Sequence, residues 1–531
     1  MCVLQPISGT FPQVTGNLLK LPRAIARVAR ICAPARVDPS PAMGVKRRDF
    51  GFMKQHSARQ PHRPARKPGD APKDAKKLAN FNIAATNGSP PAESAFVRDE
   101  TYEETPGVAQ ALAAIDAHTP VILIAGRAGT GKTRLVQYLK SRPGGELQAT
   151  VAPTGIAALN ARAQTIHSFF HLDHAVLDAR NLSRGGKFGS LYRRMNRLVI
   201  DEISMVRADV IDAVDARLRQ VRGDNRPFGG VQIIMVGDFL QLPPVVQEQD
   251  WPMLEGLGYE APYAFNAHAL QFLPVETVTL DRVWRQGEQE FVDILGRIRT
   301  REGIAEALER LNAHCVGPHR DRVEPLLLTP TRAAAERHNH QGLAALGKAR
   351  TGFRATVERD FAVGAANLPV PEYLDLAVGA RVMAVRNDAA GRFVNGTLGT
   401  VTRFGPEGAF VQFDRRPHED LVAPVTWEKV RQRWNEAERR IESDAVGAYR
   451  QIPLIHAWAV TIHKAQGLTL DDVRVDLGAG AFAPGQVYVA LSRVRTLAGL
   501  SFARPLRPAD VRAEPVLVAF MKWAQATSLP C

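Results

Sequence analysis

The most specific chemical pattern in the chain lies at residues 121–135, VILIAGRAGTGKTRL. A short apolar run rich in β-branched residues ends in glycine, and Gly126–Thr133 then reads G-x-x-x-x-G-K-T. Glycines at this spacing let the backbone fold around a phosphate with its N–H groups pointing inward. Gly126, Ala128, Gly129, Thr130 and Gly131 form the expected cradle. A helix starting near Lys132 adds its positive end, with Thr133 and Arg134 in its first turn. Lys132 supplies a point charge to the β- and γ-phosphates, and Thr133 supplies a hydroxyl to Mg²⁺.

Such a site needs carboxylates on a neighbouring strand. LVIDEISMV (198–206) offers a buried strand with Asp201 and Glu202 at its carboxyl end, where ligands sit in parallel sheets. Asp201 is the expected Mg²⁺ ligand, mostly through water, and Glu202 the group that orients or deprotonates an attacking water. Adjacent carboxylates on a strand face opposite sides, so the two need different tasks. A third strand, VQIIMVGDFLQLPPV (231–245), ends in Gly237–Asp238 and places Gln241 where it could sense a γ-phosphate. The alternative for Gln241 is a loop amide that caps backbone groups.

Further segments follow in a fixed order: APTGIAAL (152–159), TIHSFF (165–170), VWRQGEQEFVDILGRIR (283–299), AWAVTIHKAQGLTLDDV (457–473) and GQVYVALSRVRTLAGL (485–500). Together with the three strands above, they resemble the RecD/Pif-type helicases of superfamily 1B, over about residues 105–505. The resemblance implies an α/β fold with two RecA-like parallel-sheet domains and ATP bound between them with Mg²⁺. It implies an ATP-driven motor that moves 5′→3′ along single-stranded DNA and unwinds tailed duplexes. By the same resemblance Arg493 is an arginine finger, and Arg285 is a second arginine that reaches the γ-phosphate. Gly467 and Gln466 belong to the segment that couples nucleotide to DNA. Thr154, His167, Ser168, Phe169, His463, Lys464 and Gln466 fall in motifs that line the DNA path. For Phe169 a place in the core is the alternative to base stacking. Relatives carry an adenine-recognising Gln before the P-loop; here TPGVAQALAAI (105–115) offers only Gln110, with weak similarity.

These residues need elements to position them. The resemblance divides the chain into a first RecA-like domain (96–280), a second (281–510) and a C-terminal tail (511–531). It puts a wedge at about 170–197, a basic stretch with Gly185–Gly186 at a turn, for which a plain surface loop is the alternative. LLLTPTRAAAERHN (326–339) reads as a buried strand and a helix opening the second sheet. From residue 379 the rhythm changes to period-two alternation, with Asn395–Gly396 as a turn signal. This resembles an inserted Src-homology-3-like barrel, placed at about 378–450. Residues 427–443 read as a charged helical stretch.

The net charge of +14 is uneven: residues 1–90 hold 16 Lys+Arg against four acids, so the body is almost neutral. Residues 1–95 read as a disordered basic arm, either an electrostatic arm for nucleic acid or a solvated tail. Residues 1–37 lack acids and space Arg23, Arg27 and Arg30 like an organelle-targeting peptide. The favoured alternative is an upstream extension before a start at Met43 in a cytoplasmic bacterial protein. Cys2, Cys32, Cys315 and Cys531 form no CxxC pair, which excludes a disulfide framework or Cys-rich zinc site. No apolar run reaches about 18 residues, so no membrane span is expected. A monomeric motor in DNA repair, recombination or replication is the expected setting. Two other functions remain open: a translocase or remodelling ATPase that never separates strands, and a nucleotide-gated DNA-binding protein.

Overall fold

The computed structural model describes residues 103–527, apart from 143–146, 174, 183–188, 317–324, 360, 362–367 and 436. The expected arm, its targeting or extension readings and the Gly185–Gly186 turn lie outside the described residues.

The first lobe is built on a parallel sheet of β1 (Val121–Gly126), β2 (Gln148–Ala152), β3 (Gln164–Thr165), β4 (Arg197–Ile200), β5 (Gln232–Gly237) and β6 (Val275–Leu280), in the order β3-β2-β4-β5-β1-β6. VILIAG and QIIMVG are buried at every position. A parallel sheet covered on both faces requires such continuous apolar runs. The helix Pro106–Asp116 covers one face. Thr105 caps it by accepting a hydrogen bond from the Val108 N–H, and Pro106 opens its first turn. Its Val108, Leu112 and Ile115 pack with Ile122, Ile124 and Val278. Because β4, β5 and β1 are neighbours, the carboxyl ends of all three meet at one edge of the sheet.

The second lobe opens with β7 (Leu326–Thr329). A run of antiparallel strands interrupts it: β8 (Arg350–Arg354), β9 (Thr356–Arg359), β10 (Tyr373–Ala377), β11 (Arg381–Ala384), β12 (Leu398–Gly405), β13 (Gly408–Phe413), β14 (Glu419–Val422), β15 (Val425–Asn435), β16 (Arg440–Gln451) and β17 (Leu454–His456). The chain then returns through β18 (Ala459–Thr461), β19 (Val473–Val475) and β20 (Leu500–Phe502) to a parallel sheet ordered β18-β7-β19-β20. Within the interruption, five strands form an antiparallel sheet in the order β14-β13-β12-β11-β17. Asn395–Gly396 sits in the β11–β12 connection with Gly396 at φ +95°, a left-handed position that favours glycine.

Two expectations change. The expected helix over 427–443 is absent among the described residues: 427–435 and 440–443 fall in β15 and β16, a long antiparallel hairpin with a bulge at Lys429/Val430. Its charges pair across the strands, Arg433 with Glu442 and with Asp444, rather than along a helix face. The hairpin also leans onto the first lobe, where the Gln432 N–H donates to Gln164 Oε1 at 2.8 Å. Residues 515–527, set apart above within a tail, form a helix instead. Its Leu517, Phe520 and Met521 are buried in the first lobe's core, with Phe520 stacked on Phe265 at 4.3 Å between ring centroids.

Candidate active site

The P-loop leaves the carboxyl end of β1 and turns into the helix Lys132–Ser141. Gly129 (φ +81°) and Gly131 (φ +86°) both adopt left-handed backbone, which a side chain would strain. At Gly129 a Cβ would also press to 2.7 Å from Arg285 Cβ. Lys132 Nζ donates to the carbonyls of Gly126 (2.7 Å) and Arg127 (2.8 Å), so the ammonium is folded onto the loop itself. Burial lowers its pKa, and the charges of Asp238, Glu202 and Asp201 oppose that shift. Thr130 Oγ1 donates to the Arg127 carbonyl and is buried. Thr133 and Arg134 are exposed in the first turn of the helix.

Both acids stand just beyond β4. Glu202 takes a left-handed conformation (φ 51°), and its N–H donates to Asp201 Oδ1 at 2.9 Å. They are therefore turn residues rather than strand residues, and both feel the Lys132 charge in the cleft, not opposite faces of the sheet. Burial raises the Asp201 pKa, offset by the Glu202 N–H, Lys132 and Lys140. Burial, and then the adjacent Asp201, push Glu202 up to about 7. One strand over, Asp238 ends β5. It is buried, yet its carboxyl is held below the usual range, because Arg299 offsets its desolvation. Arg299 donates to Asp238 Oδ1 at 2.7 Å from the helix Gln289–Thr300, whose apolar face packs in the second lobe's core. Gln241 is buried, and its Nε2 donates to Asp238 Oδ2 at 3.3 Å.

The second lobe supplies the opposite wall. Arg285 donates to Thr469 Oγ1 and the Ser492 carbonyl at 3.0 Å each, and more weakly to the Gly467 carbonyl. Arg493 is buried and donates to the Val489 carbonyl (2.8 Å), Ser492 Oγ (2.7 Å) and the Leu468 carbonyl (3.4 Å). Both guanidiniums thus donate to neutral oxygens. Burial and the neighbouring Arg285 lower the Arg493 pKa, while Glu202 partly restores it. Gln466 Nε2 donates to Glu202 Oε2 at 3.3 Å, so its amide faces the acids in this structure.

Three cleft residues escape a reading of the motifs alone. Tyr488 Oη accepts the Ala128 N–H at 2.9 Å, tying the P-loop to the other lobe. The Trp284 backbone N–H donates to the Gly129 carbonyl at 2.8 Å, and the half-exposed indole ring lies over Gly131 with the Arg282 guanidinium 3.8 Å from its centroid. Arg299 is the third. All three sit inside quoted motifs, and for Trp284 an aromatic beside the motif arginine Arg285 is the available signal. Arg299 looks like any basic residue in a helix's last turn.

The motifs expected to line a DNA path occupy other loops at carboxyl ends of strands. Thr154 caps the helix Gly155–Asn160 by accepting from the Ala157 N–H, and Thr461 caps the turn that carries His463 and Lys464. Lys464 is exposed; His167, Ser168 and His463 are half-buried. Phe169 is corrected: it is 3% exposed in a cluster with Phe170 and Tyr192, so no face is open to a base. The insertion at about 170–197 also buries Leu172, Leu177, Leu191, Tyr192 and Met195 in the first lobe's core.

Residues 103–294 match the PIF1-like helicase family. The chain is 31% identical over 410 residues to ATP-dependent DNA helicase Pif1 of Bdellovibrio bacteriovorus, covering 76% of this chain and 88% of that one. The chain belongs to the Pif1-like helicase family. It is 35% identical over 409 residues to human ATP-dependent DNA helicase PIF1, covering 75% of this chain and 60% of the human protein. It thus spans about three-fifths of that relative's length. Among solved structures, Bacteroides sp Pif1 in complex with ADP-AlF4 superimposes with a TM-score of 0.72 at 31% identity, over 80% of this chain and 98% of that one. Bacteroides Pif1 bound to ssDNA gives 0.59 at 32% identity, over 80% and 98%. These relatives establish the parallel-sheet, RecA-like core of this Pif1-like chain. Among the described residues, no helix is long and apolar enough to cross a membrane.

Proposed function

We propose that this Pif1-like chain is an ATP-dependent DNA helicase that translocates 5′→3′ on single-stranded DNA and unwinds tailed duplexes. The observation that carries the reading is the pair of Arg285 and Arg493. Two guanidiniums, one fully buried, donate to neutral oxygens, while the Arg285 side chain packs against Gly129 and Arg493 feels the Glu202 charge from the first lobe. Buried charge needs a counter-charge, and a γ-phosphate on Lys132 would supply it from the opposite wall. Family membership and the nucleotide- and ssDNA-bound relatives support the same reading.

The chemistry follows from the positions. A bound triphosphate replaces the Gly126 and Arg127 carbonyls as the acceptor for Lys132. Glu202 takes the proton of the attacking water, with its Oε2 oriented by Gln466. Arg285 and Arg493 spread their charge over the phosphoryl oxygens as the terminal bond breaks. Gln241, braced on Asp238, would report loss of the γ-phosphate. The exposed Thr133 hydroxyl and the buried Asp201 carboxylate are hard oxygen donors that would hold Mg²⁺, which neutralises phosphate charge when bound. Closing and reopening the cleft would advance the strand, gripped mainly through phosphates and stacking.

The antiparallel sheet β14-β13-β12-β11-β17 supports the inserted Src-homology-3-like barrel. The test is Lys132→Ala. Hydrolysis of ATP with single-stranded DNA should fall by about 10²-fold or more, and unwinding with it. DNA-stimulated turnover within a few-fold of the parent would overturn the site.

A further inference from the structure

Gln286 lies between β6 and the helix Gln289–Thr300, in a segment without regular secondary structure. This segment runs along the P-loop. The Trp284 backbone N–H holds the Gly129 carbonyl, and a Cβ placed on Gly129 would stand 2.7 Å from Arg285 Cβ and 3.4 Å from Gln286 Oε1. The Gln286 side chain is 5% exposed. A buried amide needs partners for its polar atoms, and its donor group finds them in the second lobe. Gln286 Nε2 donates to the Ser492 carbonyl at 3.2 Å and to the Val494 carbonyl at 2.8 Å.

Those two carbonyls flank Arg493. The helix Gln486–Leu491 ends just before it, with Ser492 as its cap, so the carbonyls that follow have no helical donor. Other groups hold all three. The Arg493 carbonyl accepts from the Leu470 N–H at 2.9 Å, and Gln286 takes the carbonyl on either side. The Ser492 carbonyl also accepts from Arg285 Nη1 at 3.0 Å, so Arg285 and Gln286 converge on one oxygen next to Arg493. A neutral amide suits this place, because it donates twice without adding a third charge beside the two guanidiniums.

We infer that Gln286 is a positioning residue that sets the Arg493 backbone against the P-loop, so that the Arg493 guanidinium meets the γ-phosphate when nucleotide binds. The inference rests on the ATPase reading above and adds to it a residue that acts through Arg493. Misplacing a reacting or stabilising group by about 1 Å can cost about 10²-fold in rate.

The experiment uses the full chain with single-stranded DNA present and two variants. Gln286→Met keeps the length and removes the amide. Gln286→Glu keeps the shape but turns an acceptor toward two carbonyls. ATP turnover is measured beside affinity for a fluorescent ATP analogue and for ADP with and without aluminium fluoride, which mimics the transferring phosphoryl group. Both variants should lose about 10- to 100-fold in kcat, while affinity for the ATP analogue and for ADP stays within about three-fold of the parent. The extra affinity that aluminium fluoride gives the parent should fall by a similar factor, since a transition-state analogue reports contacts made only in the transition state. Turnover within about two-fold of the parent in either variant overturns the inference. So does a loss of ATP-analogue and ADP affinity in step with turnover, because Gln286 would then serve the P-loop or the fold at large. A parent that hydrolyses no ATP overturns the ATPase reading and the inference with it. A parent that hydrolyses ATP while the variants match it overturns only the positioning role.

Discussion

At Glu202 the proposed catalytic role and protein stability meet in one residue. Its carboxyl is pushed to about 7 by burial and by Asp201, from an ordinary value of 4.5. A raised folded-state pKa means that the folded protein holds the proton more tightly than the unfolded chain. The stability associated with it is present at acidic pH and is lost as pH rises through about 7. Glu202→Gln removes that loss. In nucleotide-free protein at pH 8 the variant should be more stable than the parent by up to about 3 kcal/mol, at about 1.4 kcal/mol per pKa unit. Thermal unfolding across pH 5–8 reads this, and a difference independent of pH would contradict it. The same variant should bind ATP but hardly hydrolyse it. The types and spacing of the P-loop, Asp201–Glu202 and Gln241 were legible because each follows a strand and chemistry restricts the choice. Burial was not legible: TIHSFF does not say which of two adjacent phenylalanines faces water, and both face the core.

At the scale of elements, the inter-lobe pair Arg299–Asp238 ties the second lobe's helix Gln289–Thr300 to the end of β5 and, through Asp238, to Gln241. Removing one partner leaves a buried charge unpaired, so Arg299→Ala should cost about 3–5 kcal/mol. The double variant with Asp238→Ala should lose less than the sum of the singles; additive losses in denaturant unfolding would show the two side chains to be independent. Element type was legible where periodicity was unmixed, as in the strands of the first sheet. It failed at residues 427–443, where dense charge concealed a hairpin whose ion pairs are cross-strand. It failed again at the carboxyl terminus, where PVLVAFMKWAQAT gives no motif and only tertiary packing shows that it belongs to the first lobe. Phe520→Ala should therefore destabilise the protein by about 3–5 kcal/mol. An unfolding midpoint unchanged from the parent would mean that the helix adds nothing to the core.

Over the whole molecule, the fold brings two parallel sheets together so that loops from β1, β4 and β5 face loops around β18 and β19. Under the proposed function, the contacts that cross this cleft, Tyr488 to Ala128, Gln466 to Glu202 and Arg299 to Asp238, would give nucleotide-dependent chemistry a direct route to lobe position. The claim that this route drives a motor with a fixed direction is tested most directly by strand separation on two substrates. One carries a 5′ single-stranded tail and the other a 3′ tail, each measured with and without ATP. The account predicts ATP-dependent unwinding of the 5′-tailed duplex and none of the 3′-tailed one. Unwinding confined to the 3′-tailed duplex, or strand separation that does not need ATP, would contradict it.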